Sequence, residues 1–270
     1  MKNDVIYLRP GEDDITLTTY VSNDEPELQA PPRPAIVVIP GGGYRFTSDR
    51  EAEPIAKMFL AAGFQAFILR YSVQEKALFP RPLVEASRAV VHVRENAEAY
   101  NVDPDKVFVI GFSAGGHLAA SLGTLWHKDF AKASPDMKPG MNRPTGMILS
   151  YPVITSGPFA HRGSFNNILG EKAADEEALR AYSLELQVDE NTVPTYIWHT
   201  ATDTTVPVEN TLMFMQALAA HKIPFEAHIF PKGPHGLSLA NEQTSCGRAE
   251  LVVPEVAQWI HEAIDWTKRV

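Results

Sequence analysis

The stretch Lys106-Val-Phe-Val-Ile-Gly-Phe-Ser-Ala-Gly-Gly-His-Leu-Ala-Ala120 decides how the rest of the chain is read. Its first part, Lys106–Ile110, is a short apolar run of the kind found in a strand buried on both faces. From Ala114 onward the pattern turns helical. Between them lies G-F-S-A-G, so Ser113 falls on a tight strand-to-helix turn. A side chain at Gly111 or Gly115 would collide with the neighbouring strand or helix while Ser113 is pressed into a strained conformation. The turn therefore predicts a serine hydroxyl presented above the end of a sheet.

Outward from this segment, strand-like and helix-like patterns alternate. Upstream come two strands, Val5–Arg9 and Ile15–Val21, which read as an antiparallel hairpin or meander. The proline-rich stretch Glu25–Pro34 reads as an extended connection. A strand at Ala35–Ile39, a helix near Glu51–Ala62, a strand at Phe64–Arg70 and a helix near Pro82–Tyr100 lead to the central segment. Downstream are strands at Gly146–Tyr151, Thr195–Thr200 and Phe225–Phe230, a helix at Val208–His221 and a last helix near Pro254–Lys268. Crossovers of this kind predict one α/β domain over residues 1–270, a mostly parallel sheet with helices on both faces. Two stretches break the rhythm, 125–143 and 152–193, the second with a helical pattern at Ala173–Gln187. Both are candidate cap segments, because long insertions at strand ends form pocket walls.

The chain has 270 residues, 44% hydrophobic and 21% charged, the make-up of a globular protein. No segment approaches the roughly 18 uninterrupted apolar residues of a membrane span. The amino terminus turns polar at once, without the apolar run of about 7–15 residues of a secretory signal, which leads us to expect a cytoplasmic protein. Cys246 is the only cysteine, excluding an intrachain disulfide and a thiolate zinc cluster. The formal net charge of -9 argues against a nucleic-acid partner.

A serine hydroxyl is a poor nucleophile at neutral pH. It needs a base within hydrogen-bond reach and a third group to fix that base's tautomer. The strand Thr195–Thr200 runs into Ala201-Thr-Asp203-Thr-Thr-Val-Pro207, and Phe225–Phe230 runs into Pro231-Lys-Gly-Pro-His235-Gly236. Asp203 and His235 thus sit on loops after successive later strands. Nine histidines are present, and position separates them. His92, His117 and His261 fall in helical patterns, and His199 and His228 inside strands. His127, His161 and His221 fall on loops or helix ends, and only His235 has a glycine-flanked loop after a strand. For Asp203 the alternative is a helix cap before Val208, and Asp189 and Glu209 are rival acids.

Acyl transfer also needs donors aimed at the oxygen that becomes negative. Pro40-Gly-Gly-Gly-Tyr44 closes the strand Ala35–Ile39, and Ala114 opens a helix, so the amides of Gly42, Gly43 and Ala114 are the candidate oxyanion hole. A phosphate loop is the alternative for the glycines, but no Gly-Lys-Ser/Thr or G-x-G-x-x-G pattern accompanies them.

With these residues in place the chain resembles the carbohydrate esterases of the α/β-hydrolase class, such as acetyl xylan esterases and bifunctional feruloyl and acetyl esterases. The resemblance is carried by Ile39-Pro-Gly-Gly-Gly-Tyr-Arg45 with Ser48-Asp-Arg-Glu51, by Gly111-Phe-Ser-Ala-Gly-Gly-His-Leu118, by Asp203-Thr-Thr-Val-Pro-Val-Glu-Asn210 and by Gly233-Pro-His-Gly-Leu-Ser-Leu239. It implies a Ser113–Asp203–His235 triad, no metal or organic cofactor, and hydrolysis of small-molecule or oligosaccharide esters through an acyl-enzyme. Pro40 departs from relatives that carry histidine before the glycines. Peptidase, arylformamidase and non-catalytic ligand-binding roles use the same scaffold and stay open. Tyr44, Trp126, Phe159 and His161 are the candidate substrate-binding walls.

Overall fold

Eight strands hydrogen-bond into one sheet: β1 (Val5–Tyr7), β2 (Thr16–Tyr20), β3 (Arg33–Ile39), β4 (Gln65–Arg70), β5 (Val102–Phe112), β6 (Met147–Ser150), β7 (Thr195–Thr200) and β8 (Phe225–Phe230). Their spatial order is β1-β2-β4-β3-β5-β6-β7-β8. β1, β2 and β4 pair antiparallel, and every pair from β4 across to β8 is parallel. The computed structural model describes residues 1–23, 27 and 30–270, so the connection expected at Glu25–Pro34 lies partly outside the described residues.

Side chains along a strand point alternately to opposite faces, and the sequence exploits this. Val37, Ile39, Val107, Val109, Leu149 and Ile197 enter one core. Ile36, Val38, Phe108, Ile110, Ile148 and Trp198 enter the other. Leu83, Val90, Leu118, Leu122, Phe214 and Leu218, from three helices, close the first layer. Ile55 and Phe59 from the helix Glu53–Ala61, with Trp259, Ile260 and Ile264 near the carboxyl end, close the second. The expected parallel sheet with helices on both faces is what forms.

Several elements differ in detail from the sequence expectation. β5 begins at Val102, four residues earlier than its apolar run, because Asp103–Lys106 form an irregularity: Arg33 pairs with Val102 and Ala35 with Val107. The long helix expected near Pro82–Tyr100 is interrupted at Asn96, giving Arg81–Glu95 and Ala97–Tyr100. The pattern at Ala173–Gln187 breaks into a 3-10 turn, the helix Glu176–Ala181 and a second 3-10 turn at Leu184–Leu186. The break falls where Ser183 Oγ accepts from the Ser156 amide and donates to Glu185, hydrogen bonds that compete with helix continuation. No helix among the described residues is long and apolar enough to cross a membrane.

Because β3 and β5 to β8 are parallel, their carboxyl ends share one edge, and every candidate loop leaves from that edge. The turn after β5 is held there by close backbone approach. A Cβ on Gly115 would lie 2.2 Å from the Ile39 carbonyl oxygen and 2.3 Å from that of Pro40. These are backbone atoms that cannot swing aside, so Gly115→Ala is expected to lower stability by about 1–3 kcal/mol, the usual range for overpacking. Urea unfolding checks this: an unchanged midpoint would show that β3 and the helix are not packed so tightly.

Candidate active site

Ser113 joins β5 to the helix Ala114–Leu125 with φ +52° and ψ -118°, a conformation that costs a non-glycine residue on the order of 1–3 kcal/mol. Three backbone hydrogen bonds hold it. The Ser113 amide donates to the Ser150 carbonyl at 3.0 Å, and the Ser113 carbonyl accepts from Val153 and His117, each at 3.0 Å. The residue is 8% exposed and sits in the wall of a cavity of about 600 Å³ with His235, Gly42, Gly43 and His161.

The three residues singled out from the sequence meet in a line. Ser113 Oγ lies 2.8 Å from His235 Nε2, and His235 Nδ1 lies 2.6 Å from Asp203 Oδ2. Since a carboxylate only accepts, His235 Nδ1 carries the proton and Nε2 is left to accept from the serine hydroxyl. Asp203 is buried, and its other oxygen accepts from the amides of Thr205 (2.9 Å) and Val206 (3.0 Å). Burial alone would raise its pKa. Hydrogen bonds from His199 and His235, together with the Val206 amide, outweigh that and hold the carboxyl well below the ordinary carboxylate range. The rival acid Asp189 lies elsewhere, 3.3 Å from His127.

Among the described residues, the amides of Gly42, Gly43 and Ala114 have no acceptor within the chain, whereas Gly41 donates to the Glu51 carboxylate at 2.8 Å. The glycine loop is fixed from outside: Asn167 Nδ2 donates to the Gly43 carbonyl at 2.7 Å. Gly42 has φ +133°, and a Cβ there would lie 2.1 Å from the Phe46 carbonyl oxygen, so only glycine fits.

Of the four expected wall residues, His161 alone lines this cavity. Its Nδ1 pairs with Ser164 Oγ at 2.8 Å, and burial, helped by His235 and Arg45, lowers its pKa. Tyr44 is instead fully buried. Its hydroxyl donates to His117 Nδ1 at 2.9 Å, and its ring packs edge-on against Tyr71 and Phe79. Trp126 points its indole N–H at the Asn191 carbonyl and stacks under Arg143. Phe159, 40% exposed, lies outside the cavity. Of the two candidate cap segments, 125–143 contributes no lining residue, while 152–193 supplies the turn at His161 and the helix Arg162–Leu169. Among the described residues no group of three His, Cys, Asp or Glu could hold a metal ion.

The sequence profile of the BD-FAE family matches residues 24–218. The chain belongs to the BD-FAE family. This BD-FAE member is 43% identical over 234 residues to endo-1,4-beta-xylanase B of Butyrivibrio fibrisolvens, covering 86% of the chain and 36% of that protein. It is 30% identical over 209 residues to the acetylxylan esterase of Xylanibacter ruminicola, covering 75% of the chain and 40% of that protein. The chain thus spans well under half the length of these two relatives. Among solved structures, the acetyl ester-xyloside bifunctional hydrolase of Caldicellulosiruptor lactoaceticus superposes with a TM-score of 0.81 at 35% identity, covering 98% of this chain and 96% of the other. The carboxylesterase Cest-2923 of Lactobacillus plantarum gives 0.87 at 26% identity, covering 100% and 98%. The fold is that of the α/β-hydrolases.

In this BD-FAE member several contacts at the site escaped sequence reasoning. His199, inside β7, donates from Nε2 to the Val206 carbonyl at 2.9 Å and comes within 3.4 Å of Asp203 Oδ2, while Thr211 bonds its Nδ1. Tyr151 stands edge-on to the His235 ring, centroids 5.1 Å apart. Only the position of His199, four residues before Asp203 in the strand that ends at Thr200, was a usable signal. Since the Asp203 carboxyl titrates below its ordinary value of 3.8, its ionised form stabilises the fold above that pH, and the contribution is lost as pH falls toward the depressed folded value. Urea midpoints measured from pH 7 to pH 2 should therefore fall more steeply below pH 3.8 in the wild type than in Asp203→Asn. Parallel curves would contradict the depressed pKa.

Proposed function

We propose that the protein is a serine carboxylesterase that releases acyl groups from esters through an acyl-enzyme on Ser113. The observation that carries this is the aligned Ser113–His235–Asp203 chain beside three backbone donors that have no acceptor among the described residues. Gly42 and Gly43 line the cavity and are partly exposed, so their donors are open to an acceptor brought by substrate beside the nucleophile. His235 takes the hydroxyl proton as Oγ attacks the ester carbonyl. The oxygen that becomes negative is held by the amides of Gly42, Gly43 and Ala114. Collapse breaks the ester C–O bond and His235 returns the proton to the leaving alcohol. Water repeats the sequence on the acyl-enzyme, and Asp203, ionised throughout, stabilises the imidazolium in both halves.

The substrate we assign is a sugar carrying acetyl or feruloyl groups. Two features support it. The relatives in the comparison include a xylanase, an acetylxylan esterase and an acetyl ester-xyloside hydrolase. The cavity also shares Arg45, Asn166 and Asn167 with a neighbouring groove of about 1070 Å³, whose walls mix Phe79 and Tyr182 with Gln74, Glu75, Glu171 and Lys172. Aromatic rings interleaved with amides and charges suit a ligand that is both ring-shaped and polar.

Turnover of p-nitrophenyl acetate should fall by at least about 10⁴-fold in Ser113→Ala, with the fold verified by circular dichroism. Near-normal turnover would remove Ser113 from the mechanism. Acetate release from acetylated xylan and ferulate release from methyl ferulate, set against a peptide and an N-formyl arylamine, test the substrate class. Preference for either of the last two would replace the sugar-ester assignment with a peptidase or arylformamidase.

A further inference from the structure

The segment Ser48-Asp-Arg-Glu51 has no task in the mechanism above, yet its last residue is a carboxylate only 4% exposed. Burying a carboxylate is expensive unless its oxygens are well met. Here both are met by neutral donors. Oε2 accepts from the Gly41 amide at 2.8 Å, and Oε1 accepts from the Tyr151 hydroxyl at 2.7 Å. Apolar packing of the same volume would stabilise a fold at least as well, so the retained charge points to what its partners do.

Those partners belong to the two parts of the site that flank Ser113, the glycine loop and His235. Gly41 starts the loop that carries Gly42 and Gly43, and it is wedged against the nucleophile: a Cβ there would lie 2.6 Å from the Phe112 carbonyl oxygen and 3.0 Å from Ser113 Cβ. Tyr151, at φ +38° just beyond β6, presents its ring edge to His235. Its hydroxyl also accepts from the Ser238 amide at 2.9 Å, three residues after His235. Ser238 Oγ in turn donates to the Arg50 carbonyl at 2.6 Å, and Arg50 Nε donates to the Thr244 carbonyl. The Arg50–Glu51 turn therefore touches the segment after His235 directly at two points, Ser238 and Thr244, reaches it a third time through Tyr151, and touches the glycine loop at one.

We infer that Glu51 is a positioning residue that sets the oxyanion loop and the seat of His235 in one register, through Gly41 on one side and Tyr151 on the other. A carboxylate suits this because two acceptors are needed side by side. Glutamine offers one acceptor, which the Gly41 amide requires, so its NH₂ faces the Tyr151 hydroxyl; that hydroxyl then has to accept from both the NH₂ and the Ser238 amide and leaves its own proton without the carboxylate, which weakens the Tyr151 connection.

The inference rests on the esterase reading, and its test separates the two. Wild type, Glu51→Gln, Tyr151→Phe and the double variant are compared for kcat and KM on p-nitrophenyl acetate, with thermal midpoints measured alongside. Misplacement of catalytic groups by about 1 Å can cost 10²-fold, so kcat is expected to fall roughly 10–100-fold in Glu51→Gln. Tyr151→Phe should lose roughly 10-fold for the same reason. KM should move by less than about threefold in both, since neither group is assigned to substrate binding. The double variant should be no slower than Glu51→Gln, because both cut one connection. An active wild type beside a Glu51→Gln within twofold of it overturns this inference alone, as do losses that multiply in the double variant or appear in KM. If Glu51→Gln does not fold, Tyr151→Phe decides, and wild-type kcat in that variant overturns the inference. A wild type without turnover overturns the esterase reading and this inference with it.

Discussion

The site depends on two backbones approaching each other with no side chain between them. Gly115, the second residue of the helix after Ser113, packs directly on the carbonyls of Ile39 and Pro40. Gly111, at the end of β5, packs directly on Gly115. This brings the end of β3 beside the end of β5, which is what sets the glycine loop next to the serine. It also leaves Ser113 little choice of conformation, because the chain must reverse from strand to helix within one residue. The strain at φ +52° is offset by hydrogen bonds to β6 and by the core on both sides of the sheet.

From that fixed point the electrostatics are built outward by hydrogen bonds of defined polarity. Asp203 is ionised because His199, His235 and two amides meet it, and an ionised Asp203 dictates the tautomer of His235. The same polarity rule works one turn further along the helix that follows Ser113. There His117, whose pKa burial lowers to about 4, stays neutral, donates to the Tyr182 carbonyl and accepts from Tyr44. The tautomers of His235 and His117 are thus both fixed by their partners, but only His235 has its free nitrogen directed at the Ser113 hydroxyl.

The sheet was legible because its strands are apolar runs of the right length separated by turn residues, and β7 and β8 match their expected limits, Thr195–Thr200 and Phe225–Phe230. Ser113, Asp203 and His235 were legible for a related reason: each is anchored to a strand end, and a parallel sheet brings such ends to one edge. What could not be read were contacts between side chains set by the packing of distant segments. Glu51 and Tyr151 meet across 100 residues, and neither carries a local pattern that announces the other. Tyr44 illustrates the reverse error. An aromatic residue beside a glycine loop looks like a pocket wall, yet its ring goes to the apolar interior, where a buried histidine accepts a hydrogen bond from its hydroxyl. Trp126 follows the same logic, since its indole N–H finds a carbonyl partner away from the cavity.

The claim on which the account stands is that Ser113 is made nucleophilic by His235. Labelling with a fluorophosphonate, followed by peptide mapping by mass spectrometry, tests it most directly. The account predicts one adduct per chain, on Ser113, formed rapidly in the wild type and at least about 10³-fold more slowly in His235→Ala, as expected when the base of a serine–histidine pair is removed. An unlabelled wild type, an adduct on another residue, or a rate untouched by loss of the imidazole would contradict it.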